Sequence, residues 1–244
     1  MRLIKKLSQH FIRDQNLVNH MIDYANLKSS DVVLEIGPGR GIITKAIVEK
    51  CKVIAVEKDP ALVEYLKLQE IPNLEIITGD ILKTKLPKFN KIIANLPFSI
   101  SGPVTFKLFE YKWDSAVLIY QKEFAERFVA KPGQKSYSRL TLAVNYYSEP
   151  KIVKKISKGR FYPVPKVDAV LVSLKPKKAP FKTDKAFWEL VNKLFQHKKK
   201  TLRAAMISSK FSKIVIERIP KELLKKRVVR CTLFDIRDIY TVLY

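Results

Sequence analysis

The chain has 244 residues, 47% of them hydrophobic, with 7 Gly, 13 Pro and 2 Cys. That composition supports one large domain or a medium domain with a small companion, and it excludes a disordered, collagen-like or disulfide-stapled chain. Lys and Arg number 47 against 23 Asp and Glu, a formal net charge of +24; this implies a polyanionic partner, and without an apolar run near the ~20 residues of a membrane span nucleic acid is the favoured one, the alternative being lysine used for surface solubility.

The start, MRLIKKLSQHF, has neither a long apolar stretch nor a small-residue cleavage site, so no secretory signal is expected. From residue 31 onward strands and helices alternate. Asp31–Ile36 reads as a strand, 37–41 as a turn, Ile42–Lys50 as a helix and Lys52–Glu57 as a second strand. Pro60–Leu68 follows as a helix with Pro in its first turn. Leu74–Thr78, Lys91–Ala94 and Ala116–Tyr120 are further strands, with a helix over Gly102–Glu110. Such alternation predicts a mostly parallel sheet covered by helices. Leu140–Tyr147 and Ala169–Leu174 are expected to pair antiparallel at the sheet edge. Beyond Lys175 a Pro/Lys linker leads into segments with helical spacing, Phe187–Phe195, Thr201–Ile207 and Ile214–Ile219. The expected division is therefore a domain over 1–175 and a small basic helical one over 176–244. The charge is uneven: residues 1–150 carry a net +6 and residues 151–230 a net +19. The basic runs 154–160, 198–200 and 225–227 make the second half the expected RNA footprint.

Glu35-Ile-Gly37-Pro-Gly39-Arg-Gly41 lies between the first strand and its helix. Alternate glycines let a backbone turn sharply and approach a ligand, and such loops sit at the carboxyl ends of strands, where open α/β sheets bind ligands. Dinucleotide loops run G-x-G-x-x-G; the G-x-G-x-G spacing here instead resembles the S-adenosylmethionine loop of class I methyltransferases. Glu57 ends the next strand, where a carboxylate can accept from ribose hydroxyls in either cofactor class. Asp80 follows the third strand and is placed for an adenine amino group.

Asn95-Leu96-Pro97-Phe98 ends the fourth strand. This D/N-x-P-Y/F pattern resembles that of methyltransferases acting on exocyclic amino nitrogens. An adenine N6 lone pair is delocalised into the ring and is a poor nucleophile. The Asn95 oxygen and the Leu96 carbonyl can accept its two N–H bonds and favour a pyramidal nitrogen. Pro97 fixes the backbone that turns this carbonyl inward, and Phe98 offers a face for a flipped base.

Five motifs in order resemble the KsgA-type ribosomal RNA adenine dimethyltransferases: 7–14 (LSQHFIRD), 35–41, 95–98, 161–168 (FYPVPKVD) and 195–203 (FQHKKKTLR). Ser8, Phe98 and Ala169 depart from the family's Gly, Tyr and Ser, and the run 197–200 is Lys-rich rather than Arg-rich, but no chemically required group is missing. The resemblance implies a class I S-adenosylmethionine-dependent methyltransferase: an α/β Rossmann-like fold with a mostly parallel seven-stranded sheet and a small C-terminal helical domain. It implies His10, Ile12, Gly37, Gly39, Glu57, Asp80 and Asn95 at the cofactor, Phe161 as a second aromatic wall against the base, and no metal. The expected activity is dimethylation of two adjacent adenines near the 3′ end of small-subunit rRNA. The expected setting is a cytoplasmic monomer working on an assembling ribosomal subunit, with no membrane association. Two alternatives share the fold: an Erm-like enzyme of large-subunit rRNA, and a non-catalytic assembly or transcription factor. No G-x-S-x-G elbow supports acyl transfer, and His20 and His197 stand outside any acid–base set.

Overall fold

The structure, a computed structural model, describes residues 10–244. Leu7, Ser8 and Gln9 of the first motif therefore lie outside the described residues. The elements in chain order are β1 (Phe11–Ile12), α1 (Gln15–Ala25), β2 (Val32–Ile36), α2 (Ile42–Val48), β3 (Lys52–Glu57), α3 (Pro60–Lys67), β4 (Leu74–Thr78) and β5 (Lys91–Asn95). They continue with α4 (Ser101–Leu108), β6 (Ser115–Gln121), α5 (Lys122–Glu126), α6 (Arg139–Tyr147), β7 (Ser148–Ile156), β8 (Phe161–Tyr162) and β9 (Ala169–Pro176). The last are α7 (Lys185–Gln196), α8 (Leu202–Ser208), α9 (Lys213–Glu217), α10 (Lys221–Lys225) and α11 (Leu233–Leu243).

The sheet is seven-stranded, in the order β4-β3-β2-β5-β6-β9-β7. The first five strands pair parallel, and β9 pairs antiparallel with β6. Inner strands of a parallel sheet are covered on both faces and so read as continuous apolar runs. Ile92, Ile93 and Ala94 of β5 and Ala116 to Ile119 of β6 are all buried. The chain moves outward from β2 to β3 to β4, then crosses back to β5 on the other side of β2. That reversal opens a crevice at the carboxyl ends of β2 and β5, where such sheets bind ligands.

Side-chain caps set the helix starts. Asp14 Oδ1 accepts from the Leu17 amide at 3.1 Å, Asp59 caps α3 with Pro60 in its first turn, and Asp184 Oδ1 accepts from the Phe187 amide at 2.9 Å. Each such cap contributes about 1 kcal/mol.

The chain divides into two compact units: 1–125 with 150–176, and 126–149 with 177–244. The boundary expected near 176 is one of the crossings, but residues 126–149 belong with the C-terminal segment. Their secondary structure also differs from the sequence reading. The segment read as a strand over Leu140–Tyr147 is the helix α6, and β9 takes its antiparallel partner from β6, with β7 as its other neighbour. The alternation Leu140, Leu142, Val144, Tyr146 looks like a half-buried strand. Its two polar interruptions, Thr141 and Asn145, are however four residues apart, so on a helix they share one face. There Thr141 Oγ1 donates to the Arg127 carbonyl at 2.6 Å and Asn145 Nδ2 to the Phe128 carbonyl at 2.6 Å. A capping box between Ser138 and Thr141 starts the helix. Tyr146 and Tyr147, read as sheet-edge packing, sit in an aromatic cluster, with the Tyr146 and Trp188 rings edge to face at 5.3 Å.

The second unit has its own core. Phe187, Leu190, Val191 and Leu194 recur at helical spacing on α7 and pack with Leu202, Met206, Val228 and Ile236.

Candidate active site

The crevice is lined by the glycine loop after β2, the ends of β3 and β5, the residues after β4, and β1. It gathers His10, Gly37, Gly39, Glu57, Asp80 and Asn95, named above for the cofactor, together with Leu96, Pro97 and Phe98. Ile12 and Phe161 are not among its lining residues.

The glycine loop runs through left-handed backbone: Gly37, Gly39 and Gly41 have φ of +67°, +59° and +81°. At Gly39 a Cβ would stand 2.6 Å from Phe11 Cε1, so the backbone and the Phe11 ring meet where no side chain fits. The Gly37 amide donates to the Val56 carbonyl at 2.9 Å, which joins the loop to the end of β3.

Glu57 is held by three backbone amides. Its Oε1 accepts from Lys58 at 2.8 Å and Asp59 at 2.9 Å, and its Oε2 from Gly39 at 3.2 Å. Burial pushes its carboxyl above the ordinary value, and the three amides pull the other way. A carboxylate has about four acceptor directions, so one remains on Oε2, the oxygen that faces the glycine loop. Asp80 accepts from Lys58 Nζ at 2.9 Å and from the Leu82 amide at 3.0 Å. These bonds, the Lys58 cation first, hold its carboxyl below the usual range. An open acceptor at Glu57, the Asp80 carboxyl and a loop with glycine at alternate positions together fit the ribose and adenine parts of S-adenosylmethionine.

Asn95 is the last residue of β5. Its Nδ2 donates to the His10 carbonyl at 2.6 Å. A carbonyl only accepts, so this bond fixes which end of the amide is the oxygen. That oxygen, Oδ1, is buried and has no hydrogen-bond partner among the described residues. A lone buried acceptor costs about 1–3 kcal/mol, and on a cavity-lining residue it is a seat for a donor from a ligand. Leu96 is 1% exposed, Pro97 holds φ at −57°, and the Phe98 ring lies 5.5 Å from the His10 ring at a tilt of 36°. The His10 Nδ1 is 2.8 Å from the Pro163 carbonyl; a carbonyl only accepts, so Nδ1 is the donor of this bond.

Ile12 and Phe161 depart from their expected places for one reason. β1 and β8 pair antiparallel as a short ribbon, with Phe11 opposite Tyr162 and Ile12 opposite Phe161. Opposed residues share a face and successive residues alternate. Ile12 and Phe161, 6% and 1% exposed, face the core with Val18, Ile119 and Leu171. Phe11 takes the cavity face instead, so any contact of Ile12 with a bound group goes through its backbone. Phe161 packs behind the site rather than forming its wall. The available signal for Phe11 was the pair Phe11-Ile12 itself, neighbours that take opposite faces once the segment is a strand.

Glu35 opens the loop motif but does not line the crevice. It is buried, and Thr44 Oγ1 donates to its Oε2 at 2.6 Å, tying the end of β2 to the first turn of α2. Burial, reinforced by the nearby Glu57, raises its pKa to about 8. The unfolded chain releases this proton near the ordinary value of 4.5, whereas the folded chain keeps it. Stability should therefore fall as pH rises from about 5 to about 8 and level off above that. Glu35→Gln imitates the protonated acid. Its unfolding midpoint, relative to the parent, should improve between pH 5 and pH 8. An equal change at both pH values would mean that Glu35 is ionised throughout.

Two lysines of the run 198–200 are engaged within their own unit. Lys198 Nζ donates to the Lys135 and Tyr137 carbonyls at 2.9 and 3.0 Å, and Lys200 Nζ to Ser208 Oγ at 2.8 Å. Burial lowers the Lys198 pKa. Lys198 is thus a clamp on residues 135–137 as well as a source of charge. No group of three or more His, Cys, Asp or Glu side chains placed to hold a metal ion occurs among the described residues.

The sequence pattern that defines the ribosomal RNA adenine dimethylases matches residues 2–243. The chain belongs to the ribosomal RNA adenine dimethylase family. It is a methyltransferase of that family, with S-adenosylmethionine as methyl donor. Among its relatives is a protein of Thermococcus sibiricus named "Probable ribosomal RNA small subunit methyltransferase A", 41% identical over 96% of this chain and 89% of the relative. A Methanopyrus kandleri protein of the same name is 42% identical over 91% of this chain and 86% of its own. A crystal structure of a dimethyladenosine transferase from Plasmodium falciparum superposes with a TM-score of 0.84 at 33% identity, covering 94% of this chain and 96% of that one. The 23S rRNA methyltransferase ErmE shares the fold, with a TM-score of 0.69 at 23% identity over 96% of this chain and 99% of its own.

Proposed function

We propose that this dimethylase transfers methyl groups to the N6 nitrogens of two adjacent adenines in small-subunit rRNA, as a cytoplasmic monomer acting on an assembling subunit. The observation that carries the reading is the buried, unpartnered Oδ1 of Asn95 on a cavity-lining residue. An adenine amino group supplies the missing donor. Family membership and the names of the archaeal relatives support the small-subunit substrate over the large-subunit alternative. The intact acceptor set at Glu57, Asp80 and Asn95 weighs against a non-catalytic factor, which has no use for an orphaned buried oxygen. Buried free thiols at Cys51 and Cys231, with burial pushing their pKa values up to about 11 and about 12, suit a reducing compartment. No helix among the described residues is long and apolar enough to cross a membrane.

S-adenosylmethionine supplies an electrophilic methyl on a sulfonium with a neutral thioether as leaving group. The protein's own residues do the remainder. Asn95 Oδ1 accepts one N6–H bond and the Leu96 carbonyl the other. That draws the nitrogen out of conjugation and stabilises the positive charge that grows on it during transfer, a charge the base loses by releasing one N6 proton to solvent. Phe98 and the neighbouring His10 ring present flat surfaces for the flipped base. Glu57 and the glycine loop would hold the donor in the crevice beside this nitrogen, so that the two partners would meet as if in one molecule.

Undermethylated small subunits, large subunits and duplex DNA, each incubated with labelled methyl donor and analysed as nucleosides, test the reading. Dimethyladenosine on the small subunit alone is the expected result. Label on the large subunit would move the protein to the Erm-like branch. Methylation of naked rRNA as efficient as that of particles would remove the requirement for an assembling subunit.

Binding should also be strongly salt-dependent. If the basic stretch 151–230 neutralises phosphates, log Kd plotted against log salt should change by about 0.7 to 0.9 per phosphate contacted. A titration of rRNA affinity between 50 and 200 mM salt measures this, and a flat response would remove the electrostatic footprint.

A further inference from the structure

The ribbon of β1 and β8 carries a second aromatic surface outside the methyl-transfer crevice. Tyr162 is 48% exposed, unusual for a large aromatic side chain on a paired strand. It stands opposite Phe11 in the register, so both side chains leave the same face of the ribbon. Phe11 lines the crevice. Opposed Cβ atoms in an antiparallel pair are about 5 Å apart, so Tyr162 begins one side chain's width from the crevice wall. Arg13, two residues beyond Phe11, projects to that face as well, and its guanidinium carbon lies 3.9 Å from the Tyr162 ring centroid.

The backbone beneath this pair is tied to its surroundings. The Arg13 amide donates to the Arg160 carbonyl at 3.0 Å, and the Arg160 guanidinium pairs with Asp14, the cap of α1. On the opposite face Ile12 and Phe161 are buried in the core. The exposed basic side chains Lys158 and Lys166 lie on either side along the chain. A flat ring ordered by a stacked cation, within a positively charged surface, is the chemistry that binds single-stranded nucleic acid by base stacking.

We propose that Tyr162, ordered by Arg13, is a stacking platform for the unpaired nucleotide that flanks the target adenine in the RNA. This rests on the reading that the substrate is an RNA adenine drawn into the crevice. A base taken out of its stack leaves its neighbour without a partner, and the open Tyr162 surface next to the crevice replaces that partner. Tyr162 is thus a specificity and positioning residue that never touches the reacting nitrogen.

The test uses the full-length protein, saturating S-adenosylhomocysteine, and hairpin RNAs carrying the target adenines with either flanking nucleotide intact or replaced by an abasic site. Binding is followed by fluorescence anisotropy, and methylation of undermethylated small subunits by the wild type is measured in parallel with S-adenosylmethionine. Stacking of one base corresponds to about a 5- to 150-fold change in affinity. Removal of one of the two flanking bases should weaken wild-type binding by a factor in that range. Tyr162→Ala should weaken binding to the intact RNA by the same factor and add nothing on the corresponding abasic RNA, while Tyr162→Trp should bind the intact RNA at least as tightly as the parent. S-adenosylhomocysteine affinity should not change in either variant. If neither abasic RNA loses affinity for the wild type, or if Tyr162→Ala weakens both RNAs equally, the platform is overturned. The abasic comparison needs no variant, so it decides the matter even where a substitution disturbs folding. Should the wild type leave the adenines of undermethylated small subunits unmethylated, the functional reading fails first and the platform with it. Should it methylate them while Tyr162 proves indifferent, only the platform fails.

Discussion

Asn95→Ala is expected to lower the rate of methyl transfer by about 10²- to 10³-fold, the usual cost of losing one preorganised polar group at a developing charge. Its Oδ1 is the one buried side-chain oxygen without a partner among the described residues, and it sits on the wall of the crevice. Alanine removes the acceptor proposed for the N6–H bond, while the Leu96 carbonyl remains. The substitution also releases the His10 carbonyl, held by Asn95 Nδ2 at 2.6 Å. Some loosening of the strand leading into β1 is therefore expected, as a small loss of thermal stability. The deciding comparison is between turnover and binding. Single-turnover methylation should collapse while the Kd for rRNA stays within a few-fold of the parent. If RNA affinity falls by the same factor as turnover, Asn95 is a structural bracket for His10 rather than part of the transfer machinery. Asn95→Asp sharpens the test: it keeps an acceptor but places a carboxylate against the His10 carbonyl, and should restore little.

The second large effect is expected at Gly39. A side chain there would have to adopt φ near +59° and put its Cβ 2.6 Å from the Phe11 ring. The left-handed backbone costs a non-glycine residue about 1–2 kcal/mol, and overpacking typically adds about 1–3 kcal/mol. Relief can come only by moving Phe11 or the loop, and the loop carries the amide that bonds Glu57 Oε2 at 3.2 Å. Gly39→Ala should therefore raise the Kd for S-adenosylhomocysteine by at least about tenfold, each factor of ten being about 1.4 kcal/mol. Calorimetric titration measures it. Pairing Gly39→Ala with Phe11→Ala separates the two causes. The double variant should regain the part due to the clash and keep the part due to φ. An unchanged affinity in Gly39→Ala would mean that the loop does not approach the cofactor.

Much of this was legible in the sequence because it depends on neighbours along the chain. The β-rich runs 52–57 and 74–78, the glycines at 37, 39 and 41, and the strand-end residues Glu57, Asp80 and Asn95 are local signals. In a parallel sheet, strand ends converge by topology. Once the strands were located, the site residues at those ends followed, and the crevice gathers them as expected. The glycine pattern stood out because left-handed backbone is nearly closed to other residues.

What remained hidden depends on partners distant in sequence. The segment 140–147 alternates like a strand. It becomes helix because Thr141 and Asn145 find carbonyls at residues 127 and 128, which no window over 140–147 contains. Phe161 carries the family's motif, yet its face was set by pairing with Ile12, some 150 positions earlier. The same register turned Phe11 to the crevice and Tyr162 to the open surface beside it. Lys198 read as phosphate-binding charge, whereas its ammonium satisfies two carbonyls more than 60 residues away. The sequence alone determined the parallel strands, the glycine loop and which residues stand at the strand ends, because turn geometry and hydrophobic period are properties of short stretches. Tertiary structure alone decided which ring faces the ligand and which the core, because a period of two gives the alternation but only the pairing partner sets its phase.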